Sequence, residues 1–290
     1  MTQFDYLAPS SVEDAVKALA AAPAAKALAG GTDLIVQMRS GRAKPTKVVD
    51  LKRLPGAIGV RRAPDGGFVI GAATPGAVIG EDAALARAWP GVVEAANLIG
   101  STQVQGRASL GGNLCNASPA ADSVPALIAA RAVCVIVGPG GRREAPVETI
   151  QAGPGRTSLQ PGEFVLEFRL PTRPSRASDA YLRLIPRTEM DIAVVGAGVN
   201  LALDADGRIA EAHVALGAVA PTTLLVPEAG AALVGGALDE AALQRLDAAA
   251  RAACRPISDK RGTAEYRTQI AGVLARRAAK IAYDRAQARG

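Results

Sequence analysis

Two segments, each with a pair of adjacent glycines, contain the residues best suited to binding chemistry. The first glycine segment, residues 29–34, reads Ala-Gly-Gly-Thr-Asp-Leu, and the second, residues 109–122, reads Ser-Leu-Gly-Gly-Asn-Leu-Cys-Asn-Ala-Ser-Pro-Ala-Ala-Asp. Glycine adopts backbone angles that other residues avoid, and it lets a ligand approach the backbone closely. Free amides beside small polar side chains favour a phosphate or pyrophosphate ligand. The same composition is typical of ordinary tight turns, which is the alternative interpretation of each segment taken alone.

The surroundings of the first glycine segment strengthen the ligand interpretation. An apolar run, residues 24–29, predicts a buried strand before the glycines, and residues 34–39 predict the start of a helix after them. A strand, a glycine turn and a helix N-terminus bring free amides to one point. Neither segment fits G-x-G-x-x-G or the Walker A loop, so we expect two segments that hold one extended cofactor from opposite sides. The alternative roles are helix capping for Thr32, Asp33 and Asp122 and stabilisation of loop backbone for Asn113.

No group of side chains in the sequence predicts a catalytic or metal-binding centre. His213 is the single histidine and lies in an alternating strand pattern, where we expect a structural role. Cys115, Cys134 and Cys254 are far apart and form no C-x-x-C pair, so they predict no disulfide framework, zinc site or iron–sulfur cluster. No Ser-His-Asp or His-Glu-x-x-His arrangement can be assembled. Any reactivity would therefore come from a bound cofactor.

The elements that must position the two segments predict an α+β protein. We expect a helix that begins at Ser10, a hairpin over residues 60–71, helices over 74–88 and 90–99, and strands and turns over 132–137, 147–150 and 163–170. Prolines and polar residues at 171–175 predict a domain boundary. The predicted domains are residues 1–175, with subdomains of about 1–57 and 58–175, and residues 176–290. In the second domain, antiparallel strands precede helices over 227–234, 238–254 and 262–289.

Composition and charge exclude several classes of protein. The chain has 290 residues, enough for two domains, and only 3% of them are aromatic, so the cores must consist of Ala, Val, Leu and Ile. The formal net charge of +6 comes with interleaved acidic residues and without an aromatic stacking platform, which argues against nucleic-acid binding. No apolar run is long enough to predict a membrane span. Because no secretory leader is recognisable either, we expect a cytoplasmic protein.

Four segments together resemble the flavoprotein (medium) subunits of the molybdenum hydroxylases, the family of xanthine dehydrogenase and aerobic carbon monoxide dehydrogenase. They are residues 4–16, the first glycine segment, the second glycine segment and residues 187–193, which read Arg-Thr-Glu-Met-Asp-Ile-Ala. The four occur in the family's order over nearly the whole chain. The resemblance implies an α+β fold, in which a two-part FAD-binding module (PCMH-type) precedes a smaller α+β carboxy-terminal domain with antiparallel strands and helices.

The resemblance also implies a cofactor site for FAD. The first glycine segment would wrap the FAD pyrophosphate, and the second would hold it from the other side. Asp122 would hydrogen-bond the adenosine and ribose portion, Val165 would contact the adenine side, and Arg183 stands where relatives have a lysine near the flavin. The full implied set is Ala29, Gly30, Gly31, Thr32, Asp33, Leu34, Ser109, Gly111, Gly112, Asn113, Asn116, Asp122, Val165 and Arg183.

The function implied is that of a FAD-binding electron-transfer subunit in a heterotrimeric molybdenum hydroxylase. Its partners would be a large molybdopterin-binding subunit and a small subunit with two 2Fe-2S clusters, assembled as a dimer of heterotrimers. Electrons would pass from those clusters through FAD to an external acceptor. Two alternatives are a flavin-free scaffold of the same kind of complex and a stand-alone flavin oxidase. The oxidase ranks last because the sequence offers no acid–base residue for the flavin.

Overall fold

The computed structural model describes residues 3–289, and its first part is a small parallel sheet. The elements are β1 (Asp5–Leu7), α1 (Val12–Ala20), β2 (Ala25–Leu28), α2 (Leu34–Arg39) and β3 (Lys47–Asp50). The strand order is β1-β3-β2, and all pairs are parallel. Leu28 of β2 pairs with Asp50 of β3. The first glycine segment therefore leaves the sheet at the edge where β3 also ends.

The second part is built on a five-stranded antiparallel sheet. Its elements are β4 (Val60–Arg62), β5 (Phe68–Gly71), α3 (Gly76–Glu81), α4 (Ala83–Ala88), α5 (Pro90–Asn97), α6 (Thr102–Gln105), α7 (Leu110–Cys115), α8 (Ser123–Ala129), β6 (Val133–Gly138), β7 (Gly141–Pro146), β8 (Gln151–Gly153), β9 (Arg156–Thr157) and β10 (Phe164–Leu170). The order is β4-β5-β10-β6-β7, and β8 pairs with β9 separately. Ile70, Ile136 and Phe168 of the sheet are buried in one cluster with Leu114 and Leu127 of the helices.

The third part is a four-stranded antiparallel sheet covered by helices. Its elements are β11 (Ala177–Leu184), β12 (Val195–Leu203), β13 (Ile209–Gly217), β14 (Leu224–Leu225), α9 (Pro227–Ala231), α10 (Glu240–Ala253) and α11 (Ala264–Gln287), and the strands follow chain order. Ala271, Ala275, Ala278 and Ala282 of α11 are fully buried, so small side chains let this helix pack closely on β11 and β12. No helix within residues 3–289 has both the length and the apolar character needed to cross a membrane.

Several element limits differ from the sequence-based expectation. The first helix is capped by Ser11, one residue after the predicted start, and the Ser11 hydroxyl accepts a hydrogen bond from the Asp14 amide at 3.1 Å. The helix predicted over residues 74–88 is two helices, because the Asp82 carboxylate caps α4 by accepting from the Leu85 amide at 2.8 Å. Residues 147–149 form a 3₁₀ helix rather than a strand. In each case a local side-chain or backbone hydrogen bond decides where the element begins or ends.

The carboxy-terminal part packs tightly against the rest of the chain. Tyr181 of β11 belongs to the same core cluster as Trp89 and Phe168. Arg173, inside the predicted boundary, lies with its guanidinium 3.9 Å from the centre of the Trp89 ring and pairs with Asp179 at 2.8 Å. The predicted limits of the domains stay a prediction. Pro171, Thr172, Pro174 and Ser175 at the predicted boundary are exposed, and Arg173 is the residue of this segment that contacts both Trp89 and Asp179.

Candidate cofactor site

The two glycine segments face each other across a cleft with an empty volume of about 1260 Å³, open mouth included. All six residues of the first segment line this cleft. The second segment contributes Ser109, Gly111, Gly112, Asn113 and Asn116. Val165 of β10 lines the cleft from the sheet. The structure thus brings together every predicted site residue except Asp122 and Arg183, which do not line this cleft.

The backbone of the first glycine segment is arranged for close contact. A Cβ atom on Gly30 would lie 1.7 Å from the carbonyl oxygen of Arg107, so only glycine fits against the chain that leads into the second segment. Gly31 has a φ of 79°, in the region that favours glycine. Asp33 occupies the N-cap position of α2, but its side chain makes no capping hydrogen bond. No described residue accepts a hydrogen bond from the amides of residues 30–33, which leaves four donors beside the cleft.

The second glycine segment begins as a short helix, α7, and not as a tight turn. Ser109 caps it, and its hydroxyl accepts from the Gly112 amide at 3.2 Å. A Cβ atom on Gly111 would lie 2.6 Å from the carbonyl oxygen of Ala72, whereas one on Gly112 would meet only the Ser109 hydroxyl at 3.2 Å. Gly111 is therefore required by packing, and Gly112 keeps the wall of the cleft free of side-chain atoms.

Two asparagines tie the second segment to its neighbours. The side-chain oxygen of Asn113 accepts hydrogen bonds from the amide of Ser123 at 3.1 Å and from its hydroxyl at 2.7 Å, which fastens α7 to α8. The Gln37 side chain donates to the Asn116 side-chain oxygen at 2.8 Å. This last bond crosses the cleft and connects α2 directly to the second segment. Asn113 therefore has the structural role that was its alternative, and its remaining donors stay available to a ligand.

Sequence reasoning missed several residues that line the cleft. They include Lys26, Gln37, Ile99, Leu159 and Phe164. Two of them had a local signal: Lys26 shares a face of β2 with Leu28 because side chains alternate along a strand, and Gln37 follows Asp33 by one helical turn. Ile99, Leu159 and Phe164 reach the cleft from distant parts of the chain, so no local pattern could identify them.

Asp122 and Arg183 form a buried ion pair outside the lining of the cleft. The Arg183 Nη1 atom lies 2.8 Å from Asp122 Oδ1, and the two side chains are 5% and 10% exposed. Burial raises the pKa of Asp122 to about 6, although the Arg183 charge opposes this shift. Asp122 Oδ1 and the Arg183 Nη1 and Nε atoms have no hydrogen-bond partner of good geometry among the described residues. Asp122 precedes α8 without capping it, so the capping alternative is not the role that the structure shows.

The raised pKa of Asp122 predicts a pH-dependent stability. Between the ordinary value of 3.8 and about 6, the folded chain holds a proton that the unfolded chain has released, so stability falls as pH rises through this window. From pH 4 to pH 7, we expect the unfolding free energy of the wild type to fall on the order of 2 kcal/mol more than that of the Asp122→Asn variant. Urea unfolding of both proteins across this range measures the difference. Parallel pH profiles would show that Asp122 does not titrate in this way.

Cys115 and His213 are the two other side chains considered for reactivity. Cys115 lines the cleft, and burial raises the pKa of its thiol to about 12, so the thiol is neutral. His213 lies on β13, where its Nε2 atom is 2.7 Å from a carboxylate oxygen of Glu211 on the same strand. His213 does not line the cleft, and the neutral thiol of Cys115 is a weak nucleophile, so neither residue is expected to react with a ligand there.

The chemistry of the cleft fits an extended cofactor that carries a diphosphate and ring systems. The free amides of residues 30–33 suit anionic oxygens. Ile99, Leu159, Phe164 and Val165 provide apolar walls for rings, and Lys26 provides a positive charge. This combination of a few polar groups with apolar walls is typical of cofactor sites, and it matches flavin adenine dinucleotide.

Comparison with known families supports the same conclusion along the whole chain. The family described as "FAD binding domain in molybdopterin dehydrogenase" matches residues 2–173, and the "CO dehydrogenase flavoprotein C-terminal domain" matches residues 180–282. The carbon monoxide dehydrogenase medium chain of Afipia carboxidovorans is 38% identical over 98% of each chain. The putative xanthine dehydrogenase FAD-binding subunit of Escherichia coli is 31% identical over 91% of each chain.

A solved structure gives the same result at the level of the fold. The matching chain of the reconstituted CO dehydrogenase from Oligotropha carboxidovorans superposes with a TM-score of 0.93 and 36% identity, over 98% of this chain and 100% of that one. This result confirms the predicted α+β arrangement, in which a FAD-binding part precedes a carboxy-terminal part with antiparallel strands and helices. The chain belongs to the FAD-binding medium subunits of the molybdenum hydroxylase family and is an oxidoreductase component.

Proposed function

We propose that FAD lies in the cleft with its diphosphate between the two glycine segments and its rings against the apolar walls. The observation that carries this proposal is the set of four amides of residues 30–33, which border the cleft and have no acceptor among the described residues. Gly112, Asn113 and Asn116 border the opposite side, and Val165 is the apolar contact for the adenine. When bound, FAD supplies the redox chemistry, and the residues of this chain bind it, orient it and exclude water.

Asp122 and Arg183 act on the cofactor as one unit in this proposal. The family resemblance implies that Asp122 is near the adenosine and ribose and Arg183 near the flavin. Because the two side chains are 2.8 Å apart, they cannot contact opposite ends of an extended cofactor. The buried Arg183 Nε atom has no hydrogen-bond partner among the described residues, and a polar group of the same part of FAD would provide one.

The proposed role in the cell is electron transfer within a larger enzyme. The relatives are named as a medium chain and a FAD-binding subunit, which supports a large molybdopterin-binding partner and a small partner with two 2Fe-2S clusters. We propose a dimer of these heterotrimers, in which this chain holds the FAD that relays electrons from the clusters to an external acceptor. Three free cysteines support a location in the reducing cytoplasm.

The two matched families also support the proposed division of the chain. The families match residues 2–173 and 180–282, which is consistent with domains of 1–175 and 176–290. The parallel sheet of β1 to β3 and the antiparallel sheet of β4 to β10 are separate, which supports subdomains of about 1–57 and 58–175.

The purified chain is expected to show a flavin absorption spectrum and to release FAD on denaturation, identified by chromatography against FAD and FMN standards. A chain purified without flavin is expected to bind added FAD stoichiometrically. The flavin-free scaffold would instead be supported if the chain is colourless and does not bind added FAD, both alone and after co-production with its partners.

A further inference from the structure

A polar cluster outside the cleft holds the first glycine segment in place. The Lys52 ammonium donates to the carbonyl oxygen of Ala29 at 2.9 Å and to both carboxylate oxygens of Asp50 at 2.7 and 2.8 Å. The Tyr6 hydroxyl donates to Asp50 at 2.6 Å. Tyr6, Asp50 and Lys52 belong to neither glycine segment and do not line the cleft.

The register of the parallel sheet explains why these groups meet. Leu28 pairs with Asp50, and the Leu51 amide donates to the Leu28 carbonyl at 2.9 Å, so the hydrogen bonding extends one residue past the end of β3. Ala29 follows Leu28 and Lys52 follows Leu51, and the Lys52 ammonium lies 2.9 Å from the Ala29 carbonyl oxygen. Tyr6 reaches the same point from β1, which pairs with β3 from the other side.

The contact between Lys52 and Ala29 constrains the peptide that begins the first glycine segment. In a planar trans peptide the carbonyl and the following amide point in opposite directions. A carbonyl of Ala29 that is held toward Lys52 therefore directs the Gly30 amide away from Lys52. Both Ala29 and Gly30 line the cleft, and no described residue accepts a hydrogen bond from the Gly30 amide.

We propose that Lys52 is a positioning residue for FAD, which fixes the Ala29–Gly30 peptide so that the Gly30 amide is presented to the diphosphate. This inference rests on the proposed place of FAD in the cleft. Lys52 acts through the backbone rather than by touching the cofactor, and Tyr6 and Asp50 hold its ammonium in position.

The charge balance of the cluster favours orientation over simple attraction. Burial acts to raise the pKa of Asp50, but the hydrogen bonds from Lys52 and Tyr6 outweigh it and keep that pKa below its ordinary value. Asp50 is therefore ionised at neutral pH and neutralises Lys52 at close range. Little net charge is left to attract a distant phosphate, so the directional hydrogen bond to Ala29 is the main effect of Lys52 on the site.

The test compares FAD affinity in the deflavinated full-length chain and three variants. Lys52→Met is expected to weaken FAD binding roughly tenfold, because the Gly30 amide is no longer oriented. Lys52→Arg, which can still donate to the Ala29 carbonyl, should recover most of the affinity. Lys47→Met, at the start of the strand β3 that precedes Lys52, removes a lysine without an ion pair among the described residues and should bind as the wild type does. The difference between Lys52→Met and wild type should be the same at low and high ionic strength, since a hydrogen bond is not screened as a distant charge is.

A second variant keeps the test informative if Lys52→Met unfolds. Asp50→Asn combined with Lys52→Met leaves no buried carboxylate without a partner, so it should fold and still bind FAD roughly tenfold more weakly. Wild-type affinity in a folded Lys52→Met or double variant would overturn the inference, and so would a loss that disappears at high salt. If the wild type itself bound no FAD, the proposed function would fail instead, which is a separate outcome.

Discussion

The Gly30→Ala variant is expected to bind FAD roughly ten- to a hundredfold more weakly than the wild type. The new Cβ would lie 1.7 Å from the carbonyl oxygen of Arg107 and 2.5 Å from its carbonyl carbon. Backbone atoms cannot rotate out of the way as a side chain can, so the two glycine segments must move apart. That movement would widen the gap in which we propose that the diphosphate lies. Titration of the deflavinated chain with FAD, followed by flavin fluorescence, measures the loss.

The matched control for Gly30 is Gly106, which directly precedes Arg107 in the chain. A Cβ atom on Gly106 would meet no other atom within 4 Å, and the residue has a helical φ of −66°. Gly106→Ala should therefore retain wild-type affinity. If Gly30→Ala and Gly106→Ala bound FAD equally well, the contact between Gly30 and Arg107 would not determine the shape of the cleft.

Replacement of Arg183 by methionine is expected to lower the free energy of unfolding at pH 7 by about 3 kcal/mol or more. The variant leaves the Asp122 carboxylate buried without its cation. An unpaired buried charge lowers the free energy of unfolding by more than the ion pair had raised it. Because Arg183 acts to lower the pKa of Asp122, its removal raises that pKa further. The loss should therefore shrink toward pH 5, where the carboxyl takes up a proton. Urea unfolding at both pH values measures this.

A double variant separates the cost of the charge from the cost of lost packing. Asp122→Asn combined with Arg183→Met removes both charges and should be considerably more stable than Arg183→Met alone. Equal stability of the single and double variants would mean that packing of the Arg183 stem, and not its pairing with Asp122, stabilises the junction between α8 and β11. FAD binding in the double variant then reports whether the pair also acts on the cofactor.

The two glycine segments could be found in the sequence because their signal is local. Adjacent glycines, small polar neighbours and flanking apolar runs occur within a few residues of one another. The reason for each glycine could not be found there: Gly31 needs its positive φ, but Gly30 and Gly111 are required by the carbonyl groups of Arg107 and Ala72. These partners are tens of residues away, so only the folded chain reveals that steric contacts, and not turn angles, demand glycine at two of the positions.

The sequence by itself determined the α+β class, the family and the two glycine segments that border the cleft, because periodicity, turn residues and motif order can be read along the chain. Tertiary structure alone decided that Asp122 pairs with Arg183, that Gln37 reaches Asn116 across the cleft, and that Lys52 holds the Ala29 carbonyl. Each of these contacts joins residues from different elements. Their distances depend on sheet register and helix packing. Interactions throughout the chain determine both of these, so no local sequence pattern predicts them.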